Sequence, residues 1–199
     1  MAVCFAGGAL CFLVGPLRLY ADAVGPEADA VTFFVGSLLF TAGGAVQVRL
    51  AWPTRGAAMW WAAVVQSVGT LLFNVTTFMA LSTTLSSPEY DRLVWRPDAL
   101  GSAFFLASGW ITWRATPAAH QQRWEAAVNL LGCVFFAVSA VAGYVVPERG
   151  SELDLAAANW NTAAGAACFL VCAAATLRTG RTVKTPLLSR LERSVERLV

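Results

Sequence analysis

The sequence predicts an all-α, polytopic membrane protein, a bundle of six transmembrane helices made of three tandem two-helix hairpins. Three observations lead to this prediction. Hydrophobic residues fill 57% of the 199 positions and charged residues only 13%, whereas a soluble domain carries about 25% charge. Six apolar segments are close to the length that crosses a bilayer. Each of them contains a glycine that is followed four positions later by a phenylalanine.

The apolar segments are separated by short polar connections. They are Met1–Leu17, Ala30–Val48, Gly56–Leu81, Leu100–Trp113, Trp124–Val146 and Leu155–Leu177. A membrane-spanning helix needs about 20 mainly apolar residues, so the fourth segment is short unless its helix begins near Trp95. No Lys or Arg precedes the first segment, as one would in a signal peptide, and it shares the motif of the other five. We therefore expect it to be a retained span.

The Gly–Phe pair is the clearest signal in the sequence. Its six copies are Gly8/Phe12, Gly36/Phe40, Gly69/Phe73, Gly101/Phe105, Gly132/Phe136 and Gly165/Phe169. From 16 glycines and 12 phenylalanines, chance would give about one pair. The positions one and seven residues after each glycine are small, and positions i, i+4 and i+7 share a helix face. The pattern favours close helix packing, with a ligand-binding strip as the alternative.

A second regularity defines the repeat unit. Arg49, Arg114 and Arg178 each lie nine residues after the motif phenylalanine of an even-numbered segment. This spacing predicts a transmembrane domain over 1–180 with hairpin repeats at about 1–52, 53–116 and 117–180. Three parallel copies imply a pseudo-threefold axis along the membrane normal. Apolar residues at helical spacing predict that 181–199 is a cytoplasmic amphipathic tail helix.

The distribution of charge predicts the orientation. Ten of the 14 Lys and Arg residues lie in the tail or in loops that follow even-numbered segments, while the other loops hold four together with nine acids. The positive-inside rule then places both termini in the cytoplasm, with the chain in the inner or plasma membrane. Membrane lipids are the expected partners, with a membrane protein partner or a second copy of the chain in addition. The net charge of +2 gives no reason to expect nucleic acid.

The sequence contains no recognisable catalytic, metal-ligating or cofactor-binding set, so we predict none of these sites. Uncharged polar residues inside the segments indicate either interhelical hydrogen bonds or a small polar cavity near the axis. They are Gln66, Asn74, Asn129 and Asn161. Gln66 and Asn129 both lie three residues before their motif glycine. Arg96 and Asp98 flank Pro97, which favours a helix start, with an outer-face site or gate as the alternative.

Two short runs carry a family resemblance. Gly36-Ser-Leu-Leu-Phe40 and Gly69-Thr-Leu-Leu-Phe73 resemble the signature of the YrhK-like family of small bacterial integral membrane proteins. The run Val94-Trp-Arg-Pro-Asp-Ala-Leu-Gly-Ser102 is similar to stretches of actinobacterial membrane proteins. The third hairpin departs from the pattern, because Gly165-Ala-Ala-Cys-Phe169 lacks the leucine pair. The resemblance implies a membrane location, no defined activity and no functional residues to transfer.

Three functional hypotheses follow from these patterns. The first is a non-enzymatic structural, assembly or regulatory membrane protein that acts by contact, supported by the packing motif and the tail. The second is a small channel or carrier that passes a neutral or apolar solute along the central axis. An enzyme that acts on lipids ranks third, because the sequence offers no evident nucleophile or base.

Overall fold

The computed structural model describes residues 1–82, 85–146 and 148–182, so nearly all of the predicted tail helix at 181–199 lies outside the described residues. The described chain is almost entirely helical, which confirms the all-α class. Its helices are α1 (Ala2–Val14), α2 (Arg18–Val24), α3 (Pro26–Ala51), α4 (Ala58–Met79), α5 (Ser87–Tyr90), α6 (Arg96–Ala115), α7 (Arg123–Ala142) and α8 (Leu155–Thr182). A 3-10 turn, Trp52–Thr54, follows α3, and a π-helical turn, Asp91–Trp95, joins α5 to α6. Two short strands, β1 (Val145–Val146) and β2 (Ser151–Glu152), pair antiparallel before α8.

Six of the described helices pack as a closed ring. Helix α1 packs on α3, α3 on α4, α4 on α6, α6 on α7 and α7 on α8, and α8 returns to contact α1. Helices that are adjacent in the ring are therefore consecutive in sequence among these six. The one exception is the contact between α8 and α1, which closes the ring. The connections remain short, and α2, α5 and the β-hairpin lie within alternate connections.

Four described helices are long and apolar enough to cross a membrane: α3 with its 3-10 turn, α4, α7 and α8. This finding supports a helical membrane protein. Helices α1 and α2 meet the same criterion only as a pair bent by 89°. The predicted first segment Met1–Leu17 is not one continuous helix, because α1 ends at Val14, ahead of the Gly15–Pro16 break. Helix α6 has a sufficient length but is less apolar, with Arg96, Asp98 and Arg114 near its ends.

The ring is built from small residues and phenylalanine inside, with large aliphatic and tryptophan side chains outside. Buried positions are mostly Ala, Gly, Ser, Thr and Phe. Leu71 on α4, Val141 on α7 and Trp160 on α8 are among the large apolar residues that remain exposed. In lipid, apolar surface gains little from burial, so helices associate where small residues permit close approach. This distribution is the one expected for a chain surrounded by hydrocarbon.

The motif glycines and phenylalanines dock reciprocally between paired helices. A Cβ atom added at Gly69 on α4 would lie 2.6 Å from Cδ1 of Phe105 on α6, and one at Gly101 would lie 3.4 Å from Cε2 of Phe73. The backbones approach equally closely, since the Gly69 Cβ would lie 3.0 Å from the Gly101 carbonyl oxygen. The same exchange joins α1 to α3 and α7 to α8, through the pairs Gly8/Phe40, Gly36/Phe12, Gly132/Phe169 and Gly165/Phe136.

The first prediction concerns this close approach. Gly69→Leu should lower the melting temperature of the purified protein in detergent, because the new side chain must displace both the Phe105 ring and the Gly101 backbone. Overpacking of this kind costs about 1–3 kcal/mol. Val68→Leu is the matched control, since Val68 is adjacent, 38% exposed and faces outward. An equal melting temperature for the two variants would contradict the packing role of the motif.

Candidate functional site

Three phenylalanines close the axis of the ring at one level. Phe12, Phe73 and Phe136 come from α1, α4 and α7, and every pair of their rings is in contact. The centroids are 6.3 Å apart for Phe12 and Phe73, 6.0 Å for Phe12 and Phe136, and 5.8 Å for Phe73 and Phe136. All three rings are buried. They form a continuous aromatic layer across the axis.

The other three motif phenylalanines form a second layer beneath the first. Phe169 on α8 lies 6.2 Å from Phe40 on α3 and 5.8 Å from Phe105 on α6, measured between ring centroids. The layers are joined within each helix pair, at 5.5 Å for Phe12 and Phe40, 5.0 Å for Phe73 and Phe105, and 5.4 Å for Phe136 and Phe169. We call these six rings the phenylalanine plug.

A cavity of about 510 Å³ lies on the side of the plug formed by Phe12, Phe73 and Phe136. Carboxylates and hydroxyls line its walls together with two larger aromatic side chains. These residues are Asp22, Asp29, Asp98, Thr76, Thr77, Ser139, Thr162, Tyr90 and Trp95. Neither Lys nor Arg is among the described lining residues. We call this cavity the acidic vestibule.

The π-helical turn positions Asp98 in the vestibule wall. Pro97 has no N–H, and its ring would clash with the carbonyl four residues earlier in a regular α-helix, so a wider turn accommodates it. The turn is fixed on both sides. The Thr76 hydroxyl donates to the Val94 carbonyl at 3.1 Å, and Nε1 of Trp95 donates to the Ala140 carbonyl at 2.8 Å. Asp98 follows three residues after Trp95, on nearly the same helix face.

Helix α6 is preceded without a break by α5 and the π-helical turn, so the helical stretch begins before Trp95. Its first residue is Ser87, and Ser86 forms a capping box with Glu89: the Ser86 amide donates to the Glu89 carboxylate at 2.9 Å, and the Ser86 side chain bonds to the same oxygen at 2.6 Å. These hydrogen bonds lower the pKa of Glu89. Pro97 is the second residue of α6 and Asp98 lies in its first turn, as the sequence predicted, although further helical turns precede α6.

Arg96 and Asp98 do not form one site. Nη2 of Arg96 lies 2.9 Å from Oδ2 of Asp91, and its Nε donates to the same oxygen at 3.0 Å. The Arg96 side chain is largely exposed, whereas Asp98 faces the vestibule. Two residues apart on a helix, they point to different sides, so the proposed pairing of the two as an outer-face site or gate fails on geometry.

The pKa of Tyr90 reflects its burial and the acidic side chains around it. Burial, together with the nearby carboxyl groups of Asp98 and Glu152, raises the pKa of its phenol to about 12. Tyr90 therefore stays neutral at physiological pH and can donate a hydrogen bond into the vestibule.

A smaller cavity of about 140 Å³ lies on the other side of the plug, against Phe40 and Phe169. Gln66 and Asn129 both line it, so these two predicted cavity residues meet. Gln47 and Thr176 line it as well, although they were not among the predicted cavity residues. We call this cavity the amide pocket. A second repeated position in the sequence could have identified these two residues. Gln47 and Thr176 each lie eleven residues after the motif glycine of their segment.

The remaining two predicted cavity residues lie elsewhere. Nδ2 of Asn74 donates to the Thr41 hydroxyl of α3 at 2.9 Å, which makes it an interhelical bond. Nδ2 of Asn161 donates to the Ala157 carbonyl of its own helix at 2.8 Å. Further hydroxyl bonds join neighbouring helices, at 2.8 Å for Ser37 and Thr77, 2.7 Å for Ser139 and Thr162, and 2.8 Å from Ser108 to the Ala62 carbonyl. Asn74 therefore makes an interhelical hydrogen bond, whereas Gln66 and Asn129 line a small polar cavity.

Within the described residues, no three His, Cys, Asp or Glu side chains are grouped closely enough to hold a metal ion. Comparison with protein-family models, with curated proteins and with solved structures gives no match. The resemblance to the YrhK-like family therefore stays a prediction, and the function is argued from the site alone.

The second prediction uses two serines of α6 that are equally buried, each 1% exposed. Ser108→Ala removes the hydrogen bond to the Ala62 carbonyl and should destabilise the protein by about 0.6–1.5 kcal/mol. Ser102→Ala is the control, because the Ser102 hydroxyl has no partner among the described residues and its removal should be neutral. Chemical denaturation in detergent micelles measures both changes. Similar losses for both would show that the interhelical bond contributes nothing of its own.

Proposed function

We propose that this chain is a six-span membrane protein that acts by contact, as a structural, assembly or regulatory component, and that its axis does not conduct. The phenylalanine plug is the observation that carries this proposal. Six buried rings in two layers fill the axis, the acidic vestibule touches only one layer, and the amide pocket touches only the other. A path for solute would have to displace rings that are held in the glycine hollows of neighbouring helices.

The outer surface supports a role in contact. Large apolar side chains remain exposed on the membrane-compatible helices, including Val35 on α3, Leu71 and Phe78 on α4, and Val171 on α8. Such a surface suits lipid, a membrane protein partner or a second copy of the chain. It offers contact surface on several sides of the ring, which a scaffold or regulator would use.

The six-span topology is part of the same proposal, with three tandem hairpins about a pseudo-threefold axis. Helix α6 packs between α4 and α7, both apolar enough to cross a membrane. Helix α1 packs between α3 and α8. The reciprocal glycine and phenylalanine contacts recur in all three pairs, which is the relation that tandem hairpins would produce. The bias of Lys and Arg then favours cytoplasmic termini in the inner or plasma membrane.

The third prediction tests whether α6 crosses the membrane. Alkaline phosphatase, which is active only outside the cytoplasm, should be active when fused after Asp91 and inactive when fused after His120. A green fluorescent protein fused at the same positions should give the opposite result. Because only α6 lies between the two positions, equal activity at both would exclude a sixth crossing. The contact function would then need a different topology.

A carrier for a neutral or apolar solute is the second candidate. Its support is the presence of cavities on both sides of the plug, with Gln66 and Asn129 in the smaller one. A carrier passes through closed states, and one closed state could hold these rings together. This candidate requires the plug to open, whereas the contact function does not.

The fourth prediction separates the two candidates by solute flux. Proteoliposomes with the wild-type chain should shrink and recover in a glycerol gradient at the rate of protein-free liposomes, because the plug closes the axis. A clearly faster rate would contradict the non-conducting proposal. In that case Gln66→Leu with Asn129→Leu should abolish the flux through the amide pocket, while the outward-facing Val68→Leu should preserve it. Stopped-flow light scattering measures all four rates.

A further inference from the structure

We propose that the acidic vestibule binds a small organic cation, an ammonium group carried on an apolar body. The inference goes beyond the contact function, because binding from one side needs no opening of the plug. A volume of about 510 Å³ falls within the range of small-molecule sites. The lining combines carboxylates, aromatic rings and hydroxyls, and each group has a separate part in the recognition.

The charge of the lining selects a cation. Asp22, Asp29 and Asp98 contribute carboxylates from α2, α3 and α6, and no basic side chain of the described lining compensates them. The exposed Arg96 is engaged by Asp91, outside the lining. In a concave site with low-dielectric walls, charges of one sign focus the field and raise the local concentration of the opposite charge. Anions and acidic ligands are excluded for the same reason.

Two of these carboxylates have unused hydrogen-bonding capacity. Oδ1 of Asp29 is buried and has no hydrogen-bond partner among the described residues. Asp98 is half-buried, lines the same cavity, and makes no hydrogen bond or ion pair with another described residue. Leaving a buried carboxylate unpaired is costly, so a cationic ligand would supply what the protein does not.

Aromatic rings provide the second half of the site. Trp95 is held by its hydrogen bond to the Ala140 carbonyl and by an edge contact with Tyr144 at 4.8 Å between centroids. Phe12, Phe73 and Phe136 form the floor. Ring faces attract ammonium groups electrostatically, and rigid rings lose little entropy on binding. An apolar body beside the charge would contact the floor.

A bare metal ion fits the vestibule poorly. The described carboxylates are not grouped as ligands for one ion, and much of the lining is apolar or aromatic. A hard cation would need several oxygens at about 2.0–2.6 Å. An ammonium ion with methyl or benzyl substituents tolerates longer distances and uses the apolar surface, so the lining fits it better.

Equilibrium dialysis of the full-length protein in detergent, with radiolabelled benzyltrimethylammonium as the probe, tests the proposal. Saturable binding at one site per chain is expected. Unlabelled benzyltrimethylammonium should compete, while benzyl alcohol and benzenesulfonate should not. Absence of saturable binding, or equal competition by the neutral alcohol, would overturn the proposal. This comparison uses only the wild-type chain and depends on no variant.

Matched substitutions locate the site. Asp98→Asn and Asp29→Asn should each weaken binding by about tenfold or more, because each removes an unpaired carboxylate from the lining. Glu27→Gln is the control, since Glu27 is an exposed acid in the same helical turn as Asp29 but outside the lining. Asp98→Glu, which keeps the charge, should bind within about threefold of wild type. An equal loss for Glu27→Gln and Asp29→Asn would indicate general surface attraction and refute the site.

Discussion

The close approach of glycine backbones is the constraint on which the rest of the structure depends. Where Gly69 faces Gly101, there is no room for even one additional carbon atom, because the ring of Phe105 occupies the space that a side chain at Gly69 would need. Because lipid removes most of the hydrophobic driving force between helices, this fit of ring to hollow supplies the specificity of pairing. Each helix both gives and receives a ring, so the pairing fixes the axial register as well as the partner.

The sequence specified much of this arrangement because its determinants are local and repeated. Spacing of i, i+4 and i+7 puts Gly69, Phe73 and Thr76 on one face whatever the neighbours are. Gln66 and Asn129 meet in one cavity for the same reason, since matching repeat positions reach matching depths. The ends of the helices were harder to predict from the sequence. The break after Val14 lies at Gly15–Pro16 and the π-helical turn precedes Pro97, and a proline alone does not specify whether a helix ends, bends or widens at that point.

The acidic vestibule could not be predicted from one sequence, because its acidic residues belong to different helices. Asp22, Asp29 and Asp98 lie in three separate helices and share no motif, so only the closed ring brings them to one cavity. The sequence also left open an outer-face site that would contain both Arg96 and Asp98, yet Arg96 pairs with a different acid. The nearer acid in space is Asp91, one π-helical turn earlier. Where the helical period changes, residues that are close in sequence need not contact each other in space.

The departure of α1 from the repeat has a consequence for the interior. At the position where α4 has Gln66 and α7 has Asn129, three residues before the motif glycine, α1 has Phe5. Its ring lies 6.2 Å from Phe40 and against Gly43. All three hairpins thus present an amide to the amide pocket, through Gln47, Gln66 and Asn129, but only the first adds an aromatic wall through Phe5. Any guest in that pocket would meet the Phe5 ring on one side only and would favour one orientation, which a perfectly symmetric trimer of hairpins could not impose.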